Sequence, residues 1–510
     1  MRFTTSLAAV ALALAIALPA MAAVSPQEAH KLGTSLTPVG AEMAASKDGF
    51  IPAYTGGLTS APAGYQKGSG IRPDPYAADK PRLVITSKNM ATYAKELTAG
   101  AQQLLKSNPS FRIDVYPTHR PVAYPKQILA NTLKNATNAK SVNGGLGIQD
   151  ALPGVPFPIP KTGAEAMWNH LLKYEGADIR AKFDIWNVDA SGTPILATAG
   201  EGYDTWPIYE VQNLTKPIKG TDPYWRIKIT YSAPARRSGE ALMLVDAVNP
   251  LMQPRRAWQY LPGQRRVKLA PSIAYDTPNP GAAGAATYDD SGIFNGAMDR
   301  YDWKLLGKKE MIVPYDANKL VYAKNASTVL KPKFLNPDDV RWELHRVWVV
   351  EATLKPGKRH IYAKRVFYLD EDSWAALASD EYDAHNTLYR SSFDNFTFSY
   401  DAQAPFAECM VTYDFIAGSY SLSGLVGPYY GVKYIKSLPA SEWSPDALAG
   451  AGINCTGSAV LSRRAELTRL TVRPGFSPGS EHEDTNLAVC GAARRQPAGA
   501  AGWLERGFRG

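Results

Sequence analysis

The sequence predicts an α+β protein built on one large, curved antiparallel sheet with a few helices. Two observations lead to this fold class. From about residue 180 onward, apolar residues recur at every second position, as they do in strands that bury one face. Helical spacing is confined to the part of the chain before that point. Helices placed early and many short strands placed late are typical of an α+β fold.

Three segments in the first part of the chain carry helical signals. A short candidate covers residues 25–32. The strongest covers residues 86–107, where apolar side chains recur at helical spacing and Pro109 closes the segment. A third helix is expected where Thr162 and Glu165 have the spacing of a capping box and precede a stripe of methionine, tryptophan and leucine.

Short apolar or alternating segments, separated by turn residues, predict the strands of the later part of the chain. They cover residues 225–231, 241–248, 374–382, 388–392, 396–400 and 410–415. Many short antiparallel strands of this kind fit a large curved sheet.

A predicted hairpin at residues 255–269 turns about a Pro-Gly pair and sets an aromatic residue opposite an arginine. The register expected for a tight turn pairs Trp258 with Val267 and Tyr260 with Arg265. A second hairpin, described next, repeats this design.

Residues 341–370 form the second predicted hairpin, and its apolar face carries two arginines. Even positions before the Pro-Gly turn are apolar except Arg346, and odd positions after it are apolar except Arg365. A tight turn sets Trp348 opposite Arg365 and Arg346 opposite Phe367.

The combination of apolar rings and arginines suggests a ligand. A sheet face rich in aliphatic and aromatic side chains, with cations on the rings, suits an amphiphile that has an apolar tail and an anionic head. The candidate ligand-binding residues are Trp258, Tyr260, Arg265, Arg346, Trp348, Arg365 and Phe367. We expect both hairpin arginines, Arg346 and Arg365, on the concave side of the sheet, near Trp348 and Phe367. The alternative is a sheet packed on a helix, with both arginines paired near a rim.

Composition and charge exclude several classes of protein. Of the 510 residues, 45% are apolar and 20% are charged, which is enough for a core and argues against global disorder. The formal net charge is +9, but lysines and arginines alternate with acids through the body of the chain, so we expect no nucleic-acid partner. Only three cysteines occur, Cys409, Cys455 and Cys490, so no disulfide framework is implied.

No arrangement of residues predicts a catalytic centre. Residues 475–479 match the elbow pattern of serine hydrolases and have His482 and Asp484 close by. An elbow needs a strand before the serine and a helix after it, and Pro474 and Pro478 oppose both. We therefore expect a protein that is not an enzyme and that uses no cofactor.

Metal ligands are not expected either. Four aspartates lie in or beside the glycine-rich stretch 281–303, but their spacing differs from that of a calcium loop, so turn capping is the better interpretation. The seven histidines include no pair with the spacing that zinc hydrolases use. His170 is expected to be packed or capping, whereas His345 and His360 are expected on the solvated, polar face of the second hairpin.

The first 22 residues read as a bacterial secretory signal. Arg2 precedes an apolar run that is too short to span a bilayer, and a small-x-small site predicts cleavage near Ala22. The mature protein is therefore expected in the periplasm.

Residues 454–510 differ in composition from the rest of the chain. They contain eight arginines, no lysine and no sustained period of two or 3.6, so we expect an extraneous, poorly ordered tail. This leaves residues 23–453 as a single large domain. It is rich in proline and glycine and helical over 23–180, and mainly antiparallel β over 181–453.

Several phrases resemble a bacterial family, the domain of unknown function 1329. They are Leu-Thr-Pro-Val-Gly-Ala-Glu at 36–42, Asp-Gly-Phe-Ile-Pro-Ala-Tyr-Thr-Gly-Gly at 48–57, Pro-Phe-Pro-Ile-Pro through Met-Trp-Asn-His at 156–170, Ala-Trp-Gln-Tyr-Leu-Pro-Gly-Gln-Arg-Arg-Val at 257–267 and Tyr-Asp-Trp-Lys-Leu-Leu-Gly-Lys-Lys-Glu-Met at 301–311. The phrases are spread between residues 36 and 311, and the resemblance is taken to extend over nearly all of residues 30–453. The Trp-x-Tyr-x-Pro phrase also resembles outer-membrane lipoprotein-sorting (LolA/LolB-like) carriers, whose fold is a half-open β-barrel wrapped over helices and lined with apolar side chains.

The resemblance implies a role beside envelope export machinery. Members are thought to accompany outer-membrane barrels and inner-membrane exporters of the resistance-nodulation-division type, and no agreed catalytic residues can be carried over. The leading hypothesis is a periplasmic carrier or adaptor for a hydrophobic or amphiphilic molecule, such as a lipid. The alternatives are an envelope hydrolase acting on lipid-like esters and a structural partner of an outer-membrane barrel.

Overall fold

The computed structural model describes residues 24–450. The expected leader at 1–22 and the expected tail at 454–510, with its elbow pattern and two cysteines, lie outside the described residues. The helices in the described range are α1 Pro26–Ala29, α2 Ala99–Ser107, α3 Lys126–Asn138, α4 Gly163–Leu171, α5 Asn318–Val321 and α6 Ala326–Val329, and residues 445–450 are helical as well. No helix in this range has the length and apolar character that crossing a bilayer requires.

The strands carry most of the fold. They are β1 Leu83–Ile85, β2 Ile113–Val115, β3 Lys140–Val142, β4 Gly147–Gln149, β5 Asp178–Val188, β6 Pro194–Thr205, β7 Pro223–Ala233, β8 Ala241–Ala247, β9 Arg256–Leu261, β10 Arg266–Leu269, β11 Tyr301–Pro314, β12 Trp342–Leu354, β13 Lys364–Asp370, β14 Ala376–Tyr382, β15 Leu388–Asp394, β16 Thr397–Ser399, β17 Ala404–Phe406, β18 Met410–Asp414, β19 Ser419–Leu425 and β20 Val432–Tyr434. The six strands predicted from short apolar segments correspond to β7, β8, β14, β15, β16 and β18.

One large sheet organises the described residues. Sixteen strands form it in the order β1-β2-β12-β13-β14-β15-β18-β19-β5-β6-β7-β8-β9-β10, with β11 beside β12 and β20 beside β5. Its pairings are antiparallel except for one parallel contact between β2 and β12. The end strands β1 and β10 do not pair with each other, so the sheet stays open. The predicted fold class, a large antiparallel sheet with few helices, is confirmed.

The predicted helix over 86–107 is shorter than expected because a carboxylate fixes where it starts. Residues Met90–Tyr93 form only a 3-10 turn, and α2 begins after Thr98, whose hydroxyl accepts a hydrogen bond from the Ala101 N–H. Asp380 on β14 accepts hydrogen bonds from the first two amides of α2 at 3.0 and 2.9 Å. A carboxylate at this position satisfies free N–H groups and stabilises the helix dipole.

Helix α4 confirms the third helical prediction, with one change in its cap. The Thr162 hydroxyl accepts from the Glu165 N–H at 3.1 Å. The Glu165 carboxylate accepts from the backbone N–H of Lys161, whereas a complete capping box would have it accept from that of Thr162. The short α1 also begins with a capping box, formed by Ser25 and Glu28.

Helix α3 was not predicted, because its buried face is largely polar. Asn131, Thr132 and Asn135 are buried there. The Asn131 amide donates to the Pro153 carbonyl at 2.8 Å, and the Asn135 amide donates to the Leu152 carbonyl at 2.9 Å. A helix held by such side-chain hydrogen bonds lacks the apolar stripe that reveals a helix in a sequence.

The register predicted for the second hairpin is wrong by four residues. Trp348 lies opposite Leu369 instead of Arg365, and Arg365 lies opposite Ala352. The strands are joined by residues 355–363 and not by a tight turn, because this loop is tied elsewhere: the Ile361 N–H donates to Asp276 at 3.0 Å. A shift by an even number of residues keeps every side chain on its predicted face.

The first hairpin deviates in the same way. Trp258 lies opposite Leu269 and Tyr260 opposite Val267, a shift of two residues from the predicted pairing. Arg265 is not paired in the ladder at all, because it ends the turn in a left-handed conformation with φ 49°. The turn therefore consumes four residues, Pro262 to Arg265, where two were expected.

Gly40 tests a contact between two of the segments that resemble the family, because it lies in 36–42 and packs against Pro158 in 156–170. A Cβ at this position would overlap the carbonyl oxygen of Pro158, and φ is +93°. We expect Gly40→Ala to lower the free energy of unfolding, measured by urea denaturation, by about 3 kcal/mol or more. Gly33→Ala is the matched control: φ is +81° but no described atom lies within 4 Å, so only the left-handed backbone should cost about 1 kcal/mol. Equal losses in the two variants would contradict the close approach at Pro158.

Candidate functional site

Arg365 lies at the centre of a fully buried ion-pair network. Its guanidinium reaches Asp290 at 2.8 Å, Asp289 at 3.5 Å and Glu381 at 3.9 Å. It also lies 4.9 Å from the centre of the Phe367 ring, so the expected contact between these two residues is present. The Arg365 side chain has no exposed surface, and a ligand could reach it only if the surrounding residues moved.

Two of the acids around Arg365 have pKa values shifted in opposite directions. Burial alone would raise the pKa of Asp289, but the Arg365 guanidinium and the His360 ring hold it well below its usual range. Burial raises the pKa of Glu381 to about 8, against the opposing influence of Arg365. At neutral pH Asp289 is therefore ionised, whereas Glu381 keeps its proton.

Arg346 lies on the predicted face, but it is not close to Phe367. It is nearly buried and pairs with Glu371 at 3.5 Å and with Glu42 at 3.6 Å. The cation on the Trp348 ring is instead Lys308, whose Nζ lies 5.0 Å from the ring centre. The arginines of the second hairpin thus contact different parts of the chain, because the true register separates Arg346 from Phe367.

The candidates of the first hairpin lie in a third place. Tyr260 is buried in a small cluster with Ala241, Met243 and Leu448, and Trp258 packs against it. Arg265 is exposed at the turn. The structure therefore does not bring the seven candidate residues together into one site.

Two histidine expectations are wrong. The His360 side chain is fully buried with its Nε2 3.0 Å from Asp289, and His345 is buried with its Nε2 3.0 Å from Glu343. His345 lies in the part of β12 that is buried on both faces, and His360 lies in the loop 355–363, where its ring turns inward onto Asp289. His170 is buried as expected, and burial lowers its pKa to about 3. Residues 24–450 contain no cluster of three or more His, Cys, Asp or Glu suited to a metal ion.

A cavity of about 160 Å³ lies elsewhere on the sheet, against β5, β6 and β7. Its sheet wall consists of alternate residues of β5 and β7, namely Ile179, Ala181, Phe183, Ile185, Ile227 and Ile229. The opposite wall comes from the segment 279–292 and from β17 to β19. Most of these sheet side chains remain partly exposed, as expected for residues that line an empty space.

Glycine in the central strand creates this space. Gly202 on β6 is paired with Ala181 on β5 and with Ile229 on β7, so the middle of the wall has no side chain. A Cβ at Gly202 would meet only Phe183 and Asp204, each at 3.6 Å, which is ordinary contact. The position is therefore open, and a larger side chain there would project into the cavity.

Two carboxyl groups line the cavity, whose other polar side chains are Asn279, Thr287, Ser291 and Ser423. Asp204 stands on β6 between Ile179 and Ile227, its partners on the neighbouring strands. Burial, together with the charge of Glu175, raises the pKa of Asp204 to about 7. Glu408 lines the other side, and burial together with Glu175 and Asp204 raises its pKa well above the usual range.

The nearest cation is already engaged. Lys173 pairs with Glu175 at 2.9 Å, and both line a small adjoining cavity of about 30 Å³ that also touches Glu408. Within residues 24–450 the Glu408 carboxyl makes no hydrogen bond and no ion pair. Acidic groups therefore outnumber cations at this end of the cavity.

The cavity residues were not singled out from the sequence, although a signal existed. Residues 179–185 and 227–229 alternate apolar and polar side chains, but so do most strands of the sheet. The distinguishing feature is glycine at alternate positions of β6, Gly200 and Gly202, followed by Asp204. Glycine inside a strand weakens it and often marks a place where something else approaches the sheet.

A larger surface groove, about 640 Å³, lies between the β3–β4 hairpin, the start of α4 and the start of β11. Its lining mixes apolar residues such as Leu146 and Trp303 with polar ones such as Ser141, Asp302 and Lys355. The smaller cavity has a continuous wall of isoleucine, alanine and phenylalanine and a larger apolar share, so it is the better candidate site for an apolar ligand.

The fold and the cavity together define an open-sheet α+β protein with a partly open, largely apolar cavity that two acids line. The chain belongs to the family described as "Protein of unknown function (DUF1329)", whose model matches residues 84–449. This confirms the family that the sequence phrases indicated.

The chain is also similar to one other protein and to several solved structures. The chain is 40% identical over 443 residues to the uncharacterized protein PA3922 of Pseudomonas aeruginosa, covering 86% of this chain and 96% of that protein. A putative outer membrane lipoprotein-sorting protein domain from Vibrio parahaemolyticus is similar with a TM-score of 0.39 and 16% identity, over 56% of this chain and 97% of that one. A DUF1329 family protein from Desulfovibrio piger has a TM-score of 0.36 and 16% identity, over 54% and 92%. A LolA superfamily protein from Nitrosomonas europaea has a TM-score of 0.32 and 13% identity, over 54% and 93%.

The Arg365 network predicts a large loss of stability on substitution. Arg365→Met would leave Asp289, Asp290 and Glu381 buried without their guanidinium, and breaking a buried pair in this way costs about 3–5 kcal/mol. Urea denaturation at neutral pH measures the effect. Arg359→Met, on the exposed loop before β13, is the control and should stay within about 0.5 kcal/mol of the parent. A loss below about 1 kcal/mol for Arg365→Met would show that the network is not needed for folding.

The raised pKa of Asp204 predicts a pH-dependent stability. In the unfolded chain the carboxyl releases its proton near pH 4, whereas in the folded protein it keeps the proton until about pH 7. Stability therefore falls as pH rises through this window and then levels off. The charged groups near Asp204 are Glu175 and Glu408, with Lys173 beside Glu175.

Asp204→Asn removes this titration. We expect the variant to match the parent near pH 4 and to exceed its free energy of unfolding by roughly 2 kcal/mol near pH 8, a value reduced for the partial exposure of the group. Urea denaturation across the pH range measures the difference. Asp302→Asn, at an exposed position of β11, is the control. A constant difference between Asp204→Asn and the parent at all pH values would refute the assignment.

Proposed function

We propose that this protein is a non-catalytic periplasmic carrier or adaptor that binds the apolar part of a hydrophobic or amphiphilic molecule in the cavity against β5, β6 and β7. The observation that supports the proposal is the wall of isoleucine, alanine and phenylalanine side chains that faces empty space inside the fold. Protein interiors are normally close-packed, and apolar surface gains free energy when it is covered. An apolar ligand would fill the space without rearranging the sheet.

The size of the cavity limits what enters it. A cavity of about 160 Å³ is comparable to engineered apolar cavities that hold one benzene molecule. It therefore suits a ring or the end of an acyl chain, with the rest of the molecule extending outside. A carrier that grips one part of its cargo in this way could release it without opening the whole sheet.

The cellular setting of the proposal comes from the sequence. The secretory signal expected at residues 1–22 supports export to the periplasm. The family resemblance supports an outer-membrane barrel and an inner-membrane exporter of the resistance-nodulation-division type as partners. Within residues 24–450 no specific contact favours the hydrolase or the purely structural alternative.

Filling the cavity should abolish ligand binding. Gly202→Val adds a branched side chain where a Cβ fits without overlap, and the neutral apolar dye N-phenyl-1-naphthylamine reports binding by its fluorescence. We expect the parent to bind the dye and Gly202→Val to bind it at least about tenfold more weakly, a difference of about 1.4 kcal/mol.

The matched control is Lys182→Val, which adds the same side chain on the exposed face of β5. It should bind the dye as the parent does, and both variants should keep the parent's circular dichroism spectrum. Undiminished binding by Gly202→Val would place the dye elsewhere and remove this cavity from the proposal.

A further inference from the structure

We propose that the cavity selects amphiphiles whose polar end donates hydrogen bonds, above all a protonated amine, over those with an anionic head. This inference rests on the proposed function and names the chemical class of its ligand. It differs from the anionic head group expected from the hairpin arginines. Those arginines are occupied by acids of the protein, whereas the acids of the cavity are not occupied by cations.

The cavity wall has an apolar end and an acidic end. Along β5 the lining side chains run from Ile185 through Phe183 and Ala181 to Ile179. Asp204 lies directly opposite Ile179, whereas Ile185 lies opposite Thr198. A bound amphiphile whose tail covers the Ile185 end would therefore place its polar end beside the carboxyl of Asp204.

Glu408 belongs to the same acidic end. Its side chain lines the cavity just before β18 begins. Burial raises its pKa, and the charges of Glu175 and Asp204 raise it further. Glu175 itself is 3% exposed at its side chain, and its Oε1 has no hydrogen-bond partner among the described residues. Three acids thus converge where Lys173 is the single cation within ion-pair distance of any of them.

Polar groups that lack a partner in such a place favour a donor. Asp204 already accepts from the Trp225 side chain, but within residues 24–450 the Glu408 carboxyl makes no hydrogen bond and Glu175 Oε1 has no partner, so a ligand N–H would relieve part of the cost of leaving these groups unpaired. A protonated amine would also supply a cation, because an alkylamine holds its proton to about pH 10, above the pKa of about 7 of Asp204; the carboxyl would then lose its proton and pair with the ammonium group. An anionic head would offer these carboxyl groups no N–H donor, and it would repel any of them that ionises.

The test is competition for the cavity among ligands that share one tail. N-phenyl-1-naphthylamine is bound first, and dodecylamine, dodecanol and dodecanoate then displace it near neutral pH, each below its critical micelle concentration. We expect dodecylamine to displace the dye at a concentration at least about tenfold lower than dodecanoate, which is about 1.4 kcal/mol, with dodecanol between them.

Isosteric variants locate the preference. In the double variant Asp204→Asn, Glu408→Gln, the advantage of dodecylamine over dodecanoate should fall to within about threefold, while displacement by dodecanol stays unchanged. Glu201→Gln, on the outer face of the same strand, is the matched control and should keep the full preference. Glu408→Gln alone should give an intermediate value, which keeps the test valid if the double variant is unstable.

The outcomes distinguish a failure of this inference from a failure of the proposed function. If the dye does not bind, or no dodecyl compound displaces it, the proposed function fails and the inference fails with it. If dodecanol displaces the dye but dodecanoate does so as well as dodecylamine, the apolar site stands and the head-group selection is overturned. A preference for the amine that survives in the double variant also overturns it, because the selecting groups would then lie elsewhere.

Discussion

The ion pairs of Arg365 hold the structure together at the point where the sheet meets the irregular segment 279–292. Asp289 and Asp290, which receive the guanidinium, end the irregular segment that forms the far wall of the cavity. The Tyr362 hydroxyl, in the loop before β13, donates to Asp290 at 3.1 Å, and the Asn187 amide on β5 donates to the Ala282 carbonyl at 3.2 Å. The empty space therefore depends on polar contacts beside it, because the segment contributes no strand to the large sheet.

Buried acids appear in two environments that have opposite electrostatic consequences. Around Arg365 the acids face a guanidinium, and the pKa of Asp289 is held low although the site excludes water. Around the cavity the acids face apolar side chains and one another, and burial raises the pKa of Asp204 and Glu408. The first arrangement stabilises a fixed contact, whereas the second leaves proton-binding and hydrogen-bonding capacity that the fold itself does not use.

The sequence predicted which residues form strands and which face of the sheet each side chain takes better than it predicted which residues pair across strands. The period of two in β12 and β13 assigned side chains to the correct faces, because alternation is a local property of an extended chain. The register failed by four residues, since it depends on how the loop 355–363 is tied to Asp276 and Asp289, which are distant in sequence. The same limit applies to His345 and His360: a polar face is solvated only if nothing covers it, and no local pattern shows what packs there.

The candidate site was missed for a related reason. Its defining property is the lack of side chains at Gly202, between Ala181 and Ile229, and this appears only after three strands are placed side by side. The hairpin arginines gave a stronger local signal, but that signal reflected their ion pairs with acids such as Asp290 and Glu371. A cation among apolar residues indicates a buried partner as readily as a ligand.

The arrangement of β6 separates two aspects of molecular recognition along one strand. The depth of the cavity is set at Gly202, where a Cβ meets its neighbours only at ordinary contact distance and a longer side chain would extend into the cavity. The polarity of the cavity is set two residues further on by Asp204, which lies on the same face of the sheet. Homologous proteins could therefore diverge in the bulk of the molecule they accept and in its charge through independent single replacements, with the scaffold of sixteen strands left intact.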